Sequence, residues 1–165
     1  IKSKADEFEI DADRIALMGS SAGGHLCSFF ATQYERFECE YENKDYSIKP
    51  KVLLLTYPVI TMGELTHKVS RRIFLGMLTG KAERNAASVY MHITPDYPPT
   101  FCWHNRDDLS VPVENSELLE EALNASNVKN EFLYFDKGGH GIGLAEGKQA
   151  DGWIDKAIDF LDENI

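Results

Sequence analysis

The sequence predicts an α/β fold in which a mostly parallel sheet is flanked by helices. Short apolar runs alternate along the chain with stretches of helical periodicity. One of them, Val52-Leu53-Leu54-Leu55, is continuously apolar, as expected of a strand covered on both faces. Proline-bearing segments such as Tyr57-Pro58 and Asp96-Tyr97-Pro98-Pro99 punctuate the runs.

The elements follow in order. Residues 14–18 (RIALM) read as a first strand ending at Gly19. A helix follows at once from Ala22 to about Tyr34, because Leu26, Phe29 and Phe30 recur at i, i+3 and i+4. Residues 35–49 are polar and charged and read as a surface connection. Residues 52–55 form the second strand. Residues 61–99 are an irregular excursion, in which 70–78 is expected to be helical with Ile73, Phe74, Met77 and Leu78 on one face. Residues 100–104 form a third strand, and 114–126 a helix with Leu118, Leu119, Ala122 and Leu123 inward. Residues 131–135 form a fourth strand. A closing amphipathic helix over 149–163 carries Trp153, Ile154, Ala157, Ile158 and Leu161 on one stripe. The order is β-α-β-(excursion)-β-α-β-α, without repeats or linkers.

Composition narrows the function classes. With 165 residues, 43% hydrophobic and 27% charged, the chain has globular values and enough length for one core. Seventeen basic against 27 acidic residues leave a net charge of −10, which repels phosphate backbones and anionic lipid. Nucleic-acid and membrane partners are therefore not expected. No apolar run approaches the roughly 18 residues of a membrane span. Cys27, Cys39 and Cys102 are an odd count without metal-ligand spacing, so neither a disulfide framework nor a metal site is expected. A reducing, cytoplasmic setting fits that usage better than a secreted one.

The chemistry concentrates in three places. Gly19-Ser20-Ser21-Ala22-Gly23 is a Gly-x-Ser-x-Gly pentapeptide between a strand and a helix. A nucleophilic serine sits on such a strained turn. Ser21 is the candidate because it alone has glycine at both −2 and +2; those glycines are expected to remove Cβ atoms that would collide at the bend. A serine hydroxyl needs a base to take its proton and a carboxylate to orient that base. His140, in Gly138-Gly139-His140-Gly141 after the fourth strand, is the candidate base, on a sharply bent, mobile loop. Asp108, after the third strand, is the candidate acid, with adjacent Asp107 as the alternative and Glu64, beyond the second strand, as a more distant one. Both loops lie past strand carboxyl ends, where an open α/β sheet places its site. His25, Cys27, His67, His92 and His104 read as structural or surface residues.

These motifs resemble the esterase/lipase superfamily of α/β-hydrolases. Residues 11–26 (DADRIALMGSSAGGHL) look like its nucleophile elbow. Residues 103–116 (WHNRDDLSVPVENS) and 137–145 (KGGHGIGLA) are similar to the acid and histidine loops of its acetyl-xylan-esterase-like and prolyl-oligopeptidase-like branch. In that branch the acid stands four residues before the proline of a D-x-x-V-P pattern, which implies Asp108. The segment from His67 to Gly76 is also similar, although Val69 stands where the branch has glycine. The resemblance implies a serine hydrolase of short-acyl carboxylic esters, such as acetyl on carbohydrate, acting on a small-molecule ester without metal or cofactor. It also implies the backbone N–H of Ala22 as one oxyanion donor. A peptidase of the prolyl-oligopeptidase type and a non-catalytic hydrolase-like binding module are the alternatives. The family's sheet begins with further strands and a loop bearing an oxyanion motif. Residues 1–165 are therefore expected to be the C-terminal part of a single catalytic domain, short of about 90–120 residues at roughly 30 per βαβ unit. Otherwise another copy would have to cover the exposed apolar edge of the first strand.

Overall fold

Side chains alternate across a strand, so a continuously apolar strand must feed two cores at once. Val52–Thr56 does this: Leu53 and Leu55 point into one cluster with Leu119, Leu123 and Val128, whereas Val52 and Leu54 point into another with Trp153, Ala157 and Phe160. The computed structural model describes residues 1–40 and 47–165, the side chains of Cys39 and Glu40 excepted. The strands are β1 (Ala16–Ser20), β2 (Val52–Thr56), β3 (Thr100–Asn105) and β4 (Asn130–Phe135), all parallel in the order β1-β2-β3-β4. A short 3-10 turn over Lys2–Lys4 and helix α1 (Ala5–Phe8) precede them. Helix α2 (Ala22–Glu40) joins β1 to β2. Helices α3 (Lys68–Leu75) and α4 (Lys81–Ala86) and a 3-10 turn at Val89–His92 make up the excursion before β3. Helix α5 (Glu114–Ala125) joins β3 to β4, and α6 (Trp153–Asn164) closes the fold.

Register brings the carboxyl ends of the strands to one edge. Ser20 pairs with Thr56 and Thr56 with Trp103, while His104 and Asn105 run on beside Tyr134 and Phe135. All four expected strands are present, with ends shifted by one or two residues. The helices differ more. Helix α2 runs six residues past Tyr34, because Phe37 stacks on Phe30 one heptad earlier, at 5.7 Å between centroids, and continues the apolar stripe. The expected connection is thus shorter than 35–49, and its residues 41–46, like the Cys39 side chain, lie outside the described residues. Cys27 and Cys102 are free thiols.

Helix α3 stops at Gly76, so Met77 and Leu78 leave the expected face and are exposed. Helix α6 begins at Trp153 rather than at 149, because Gly152 is left-handed, with φ 82°, and turns the chain into the helix. The excursion holds a second short helix, α4, that periodicity did not reveal; its six residues contain no buried position to mark one face. On the β1 side of the sheet Met18 and Leu26 are half or more exposed. Among the described residues no helix is long and apolar enough to cross a membrane.

Leu55 is fully buried in the α2–α5 face of the sheet. Leu55→Ala is expected to lower unfolding stability by about 2–5 kcal/mol, as measured by urea denaturation of the protein as its gene encodes it.

Candidate active site

One residue, Ser21, separates the last residue of β1 from the first of α2. Turning a strand into a helix in one step forces Ser21 to φ 54°, a left-handed conformation that costs a non-glycine residue on the order of 1–3 kcal/mol. Backbone hydrogen bonds hold it there. The Ser21 N–H donates to the Thr56 carbonyl at 3.0 Å, and the Ser21 carbonyl accepts from the N–H groups of Val59 at 3.0 Å and His25 at 3.2 Å. A Cβ on Gly19 would lie 2.4 Å from the Gly23 carbonyl oxygen, as the tight bend requires. The expected collision at Gly23 is absent, since a Cβ there would meet nothing within 4 Å. The second close approach is one residue on: a Cβ on Gly24 would lie 2.6 Å from Pro58 Cβ, because α2 turns Gly24 toward the segment leaving β2.

The two serines of the bend go separate ways. Thr56 donates its hydroxyl proton to Ser20 Oγ at 2.6 Å, whereas Ser21 Oγ lies 2.9 Å from His140 Nε2. His140 comes from the loop after β4, where Gly139 (φ 67°) and Gly141 (φ 72°) on either side take left-handed conformations open to glycine. The loop is pinned on its N-terminal side. Asp107 Oδ1 accepts from the N–H groups of Gly138 at 2.9 Å and Gly139 at 2.8 Å, and Asn105 Nδ2 donates to the Gly139 carbonyl at 2.8 Å. The Tyr57 ring packs against the imidazole at 4.8 Å between centroids and is itself backed by Trp103 at 5.1 Å.

The carboxylate against His140 is Asp108, with Oδ2 2.6 Å from His140 Nδ1. Asp107 faces the glycine amides instead, and Glu64 is exposed on the surface after β2. Asp108 Oδ1 accepts from the N–H groups of Ser110 at 2.8 Å and Val111 at 3.0 Å. Burial alone would push this carboxyl up. Hydrogen bonds from His104, Val111, His140 and Ser110 outweigh it and hold the pKa down at about 2.

His104 was not expected at the site. It is fully buried at the end of β3, with Nε2 3.2 Å from Asp108 Oδ2. Its position four residues before Asp108 was visible in the sequence, but only the turn after β3 folds the aspartate back over it. The other histidines and Cys27 keep to the frame. His25 Nε2 donates to the Ala87 carbonyl at 2.9 Å, and burial lowers its pKa. His67 caps α3 through Ser70, His92 lies 3.1 Å from the Asn85 carbonyl, and burial raises the Cys27 thiol.

Ala22 opens α2, where a main-chain N–H has no intrahelical acceptor and the helix dipole is positive. A groove of about 320 Å³ runs from Ala22 between α2 and α3, walled by His25, Leu26, Phe29, Met62 and Phe74. No cluster of three or more His, Cys, Asp or Glu among the described residues is arranged to hold a metal ion.

The parallel sheet, the strained serine at the end of β1 and the two loops beyond β3 and β4 define an α/β-hydrolase. The chain belongs to the BD-FAE family, whose pattern matches residues 1–123. Endo-1,4-beta-xylanase B of Butyrivibrio fibrisolvens is 34% identical over 154 residues, covering 93% of this chain and 24% of that protein. Acetylxylan esterase of Xylanibacter ruminicola is 32% identical over 154 residues, covering 87% of this chain and 29% of that protein. The crystal structure of an acetyl ester-xyloside bifunctional hydrolase from Caldicellulosiruptor lactoaceticus matches with a TM-score of 0.91 at 32% identity, over 98% of this chain and 61% of that one. The chain therefore spans less than two thirds of each of these relatives.

The Asp108 carboxyl titrates at about 2 in the folded state against an ordinary 3.8. A depressed carboxyl contributes stability that is full above about pH 4 and lost as pH falls toward 2. At about 1.4 kcal/mol per unit, the contribution is on the order of 2 kcal/mol. The stability gap between wild type and Asp108→Asn, measured by urea denaturation, should therefore shrink by that amount between pH 5 and pH 2.

Proposed function

We propose that this chain carries the catalytic groups of a serine esterase that cleaves short-acyl carboxylic esters, with acetyl groups on carbohydrate as the substrate class. The observation that supports it is the unbroken line of contacts from Ser21 Oγ through both nitrogens of His140 to Asp108, at 2.9 and 2.6 Å. The names of the relatives, an acetylxylan esterase and an acetyl ester-xyloside hydrolase, support the ester and the acyl group.

In this reading Ser21 Oγ attacks the ester carbonyl as its proton passes to His140 Nε2. The resulting imidazolium is oriented and stabilised by Asp108 through Nδ1–H. The carbonyl oxygen becomes an oxyanion facing the Ala22 N–H, at the positive end of α2. When the tetrahedral adduct collapses, the C–O bond to the alcohol breaks and His140 returns its proton to that oxygen. Water then repeats the cycle on the acyl-enzyme, giving the carboxylic acid and free Ser21. No step calls on a metal or cofactor. The groove beside Ala22 receives the part of the ester nearest the reacting carbonyl.

Ser21→Ala should abolish hydrolysis of p-nitrophenyl acetate and labelling by a fluorophosphonate probe. Unchanged activity would sink the serine mechanism. Asp108→Asn should lower kcat by about 10⁴, the loss known for the equivalent change in serine proteases. Asp107→Asn still offers an oxygen to the Gly138 and Gly139 amides and should stay within about tenfold of wild type. A larger loss from Asp107→Asn than from Asp108→Asn would reverse the assignment of the acid. Turnover of a matched prolyl anilide instead of the ester would favour the peptidase, and a folded chain that neither labels nor turns over would favour a binding module.

A further inference from the structure

Behind the proposed catalytic line a second one reaches the same carboxylate. His104 Nε2 lies 3.2 Å from Asp108 Oδ2 and 3.0 Å from the Val111 carbonyl oxygen. A carbonyl only accepts, so Nε2 carries a proton and donates to both oxygens. In the neutral ring Nδ1 is then the acceptor, and it takes the Ser116 hydroxyl proton at 2.8 Å. With its own proton committed, Ser116 Oγ is free to accept from the Cys102 thiol, 3.4 Å away. The polarity of the whole chain of contacts is thus set from Cys102 through Ser116 and His104 to Asp108. The side chains of His104 and Asp108 are both fully inaccessible to solvent.

We propose that His104 is a positioning residue for ester cleavage: its Nε2–H holds Asp108 Oδ2, the oxygen on which His140 turns, so that the imidazole of His140 keeps its reach to Ser21. This rests on the serine-esterase reading above. Asp108 offers about four acceptor sites, and the structure fills them from three elements: Ser110 and Val111 N–H on its own loop, His140 from the loop after β4, and His104 from β3. Two imidazoles share Oδ2, so neither can swing without disturbing the other's acceptor. The neighbouring Asp107 carboxylate faces the Gly138 and Gly139 amides, and Tyr57 presents an aromatic ring to His140. Loss of the His104 donor leaves Oδ2 with one partner, so the carboxylate is anchored only at Oδ1 by Ser110 and Val111 and can tilt about that anchor. It also leaves His140 as the only imidazole on that oxygen, which strengthens the Asp108–His140 ion pair that forms during turnover.

The test is a pair of polar substitutions. His104→Gln puts an amide N–H where Nε2 stood, whereas His104→Asn is too short to do so. In the protein as its gene encodes it, with p-nitrophenyl acetate as substrate, His104→Asn should lower kcat by about 10²-fold, the scale of a small misplacement at a reacting group, with KM within threefold. The acid limb of its kcat/KM profile should move to higher pH. His104→Gln should stay within about tenfold of wild type and keep the wild-type limb. Equal losses in both variants, or lower melting temperatures with kcat within twofold of wild type, would overturn the positioning role. Should His104→Asn fail to fold, Ser116→Ala removes the partner that orients the ring. A several-fold fall in kcat at constant KM then supports the role, and unchanged kcat overturns it. Ser21→Ala and fluorophosphonate labelling run alongside separate the two readings. An active enzyme that depends on Ser21 but is indifferent to His104 overturns the positioning role alone, whereas activity without Ser21 overturns both.

Discussion

At Ser21 the N–H and carbonyl of a single residue tie the end of β1 to the segment leaving β2, and the arrangement of the site depends on that tie. Left alone, a serine at φ 54° would relax toward the right-handed region and let α2 swing away from the sheet. Its N–H is committed to Thr56, and its carbonyl to Val59 and His25. At about 1 kcal/mol net each, these bonds offset a strain of similar size. They exist only because β1 and β2 are parallel and in register up to Ser20 and Thr56. The absence of a Cβ at Gly19 and Gly24 lets the backbone approach closely enough for the tie to close.

The same edge of the sheet solves a second problem, the burial of a charge. An inaccessible carboxylate is costly unless all its acceptor positions are used. Asp108 uses them on two backbone amides and two imidazoles, which is why its pKa falls rather than rises despite its burial. Its neighbour has a different task. Asp107, exposed beside it, takes the amides of Gly138 and Gly139 and so anchors the loop that brings His140 across. Two adjacent aspartates of identical chemistry thus divide the work by the direction each side chain takes out of one turn. The base rests on a pinned loop rather than on a loose one.

Local signals determined most of the frame. Four strands, the helices after β1 and β3 and the closing helix follow from apolar spacing, which is a short-range property of the chain. Ser21, Asp108 and His140 were legible for a related reason: each sits in a short segment whose glycines, or whose position just past a strand, announce a turn at the sheet's carboxyl edge. Where local signals are weak, element bounds are hidden. Charged residues beyond Tyr34 hid six further residues of α2, the six-residue α4 has no apolar face to detect, and the left-handed Gly152 starts α6 later than its stripe suggests.

Direction and partnership were decided only in three dimensions. Turn chemistry does not separate Asp107 from Asp108; only the resemblance to a D-x-x-V-P loop points to Asp108, and its contact with an imidazole supplied by a loop 32 residues later is made by the fold. Nothing in His104 marks it as sharing an oxygen with that imidazole, since a histidine at a strand end has the same local pattern whether it packs or participates. Nor does the pentapeptide reveal that the crowded glycine beyond the serine is Gly24 rather than Gly23. Periodicity and turn chemistry act between residues a few positions apart, so the sequence alone determined the elements and the edge of the sheet where chemistry belongs. Hydrogen bonds across the strand ends act between residues distant in the chain, so only the tertiary structure decided which side chains meet there.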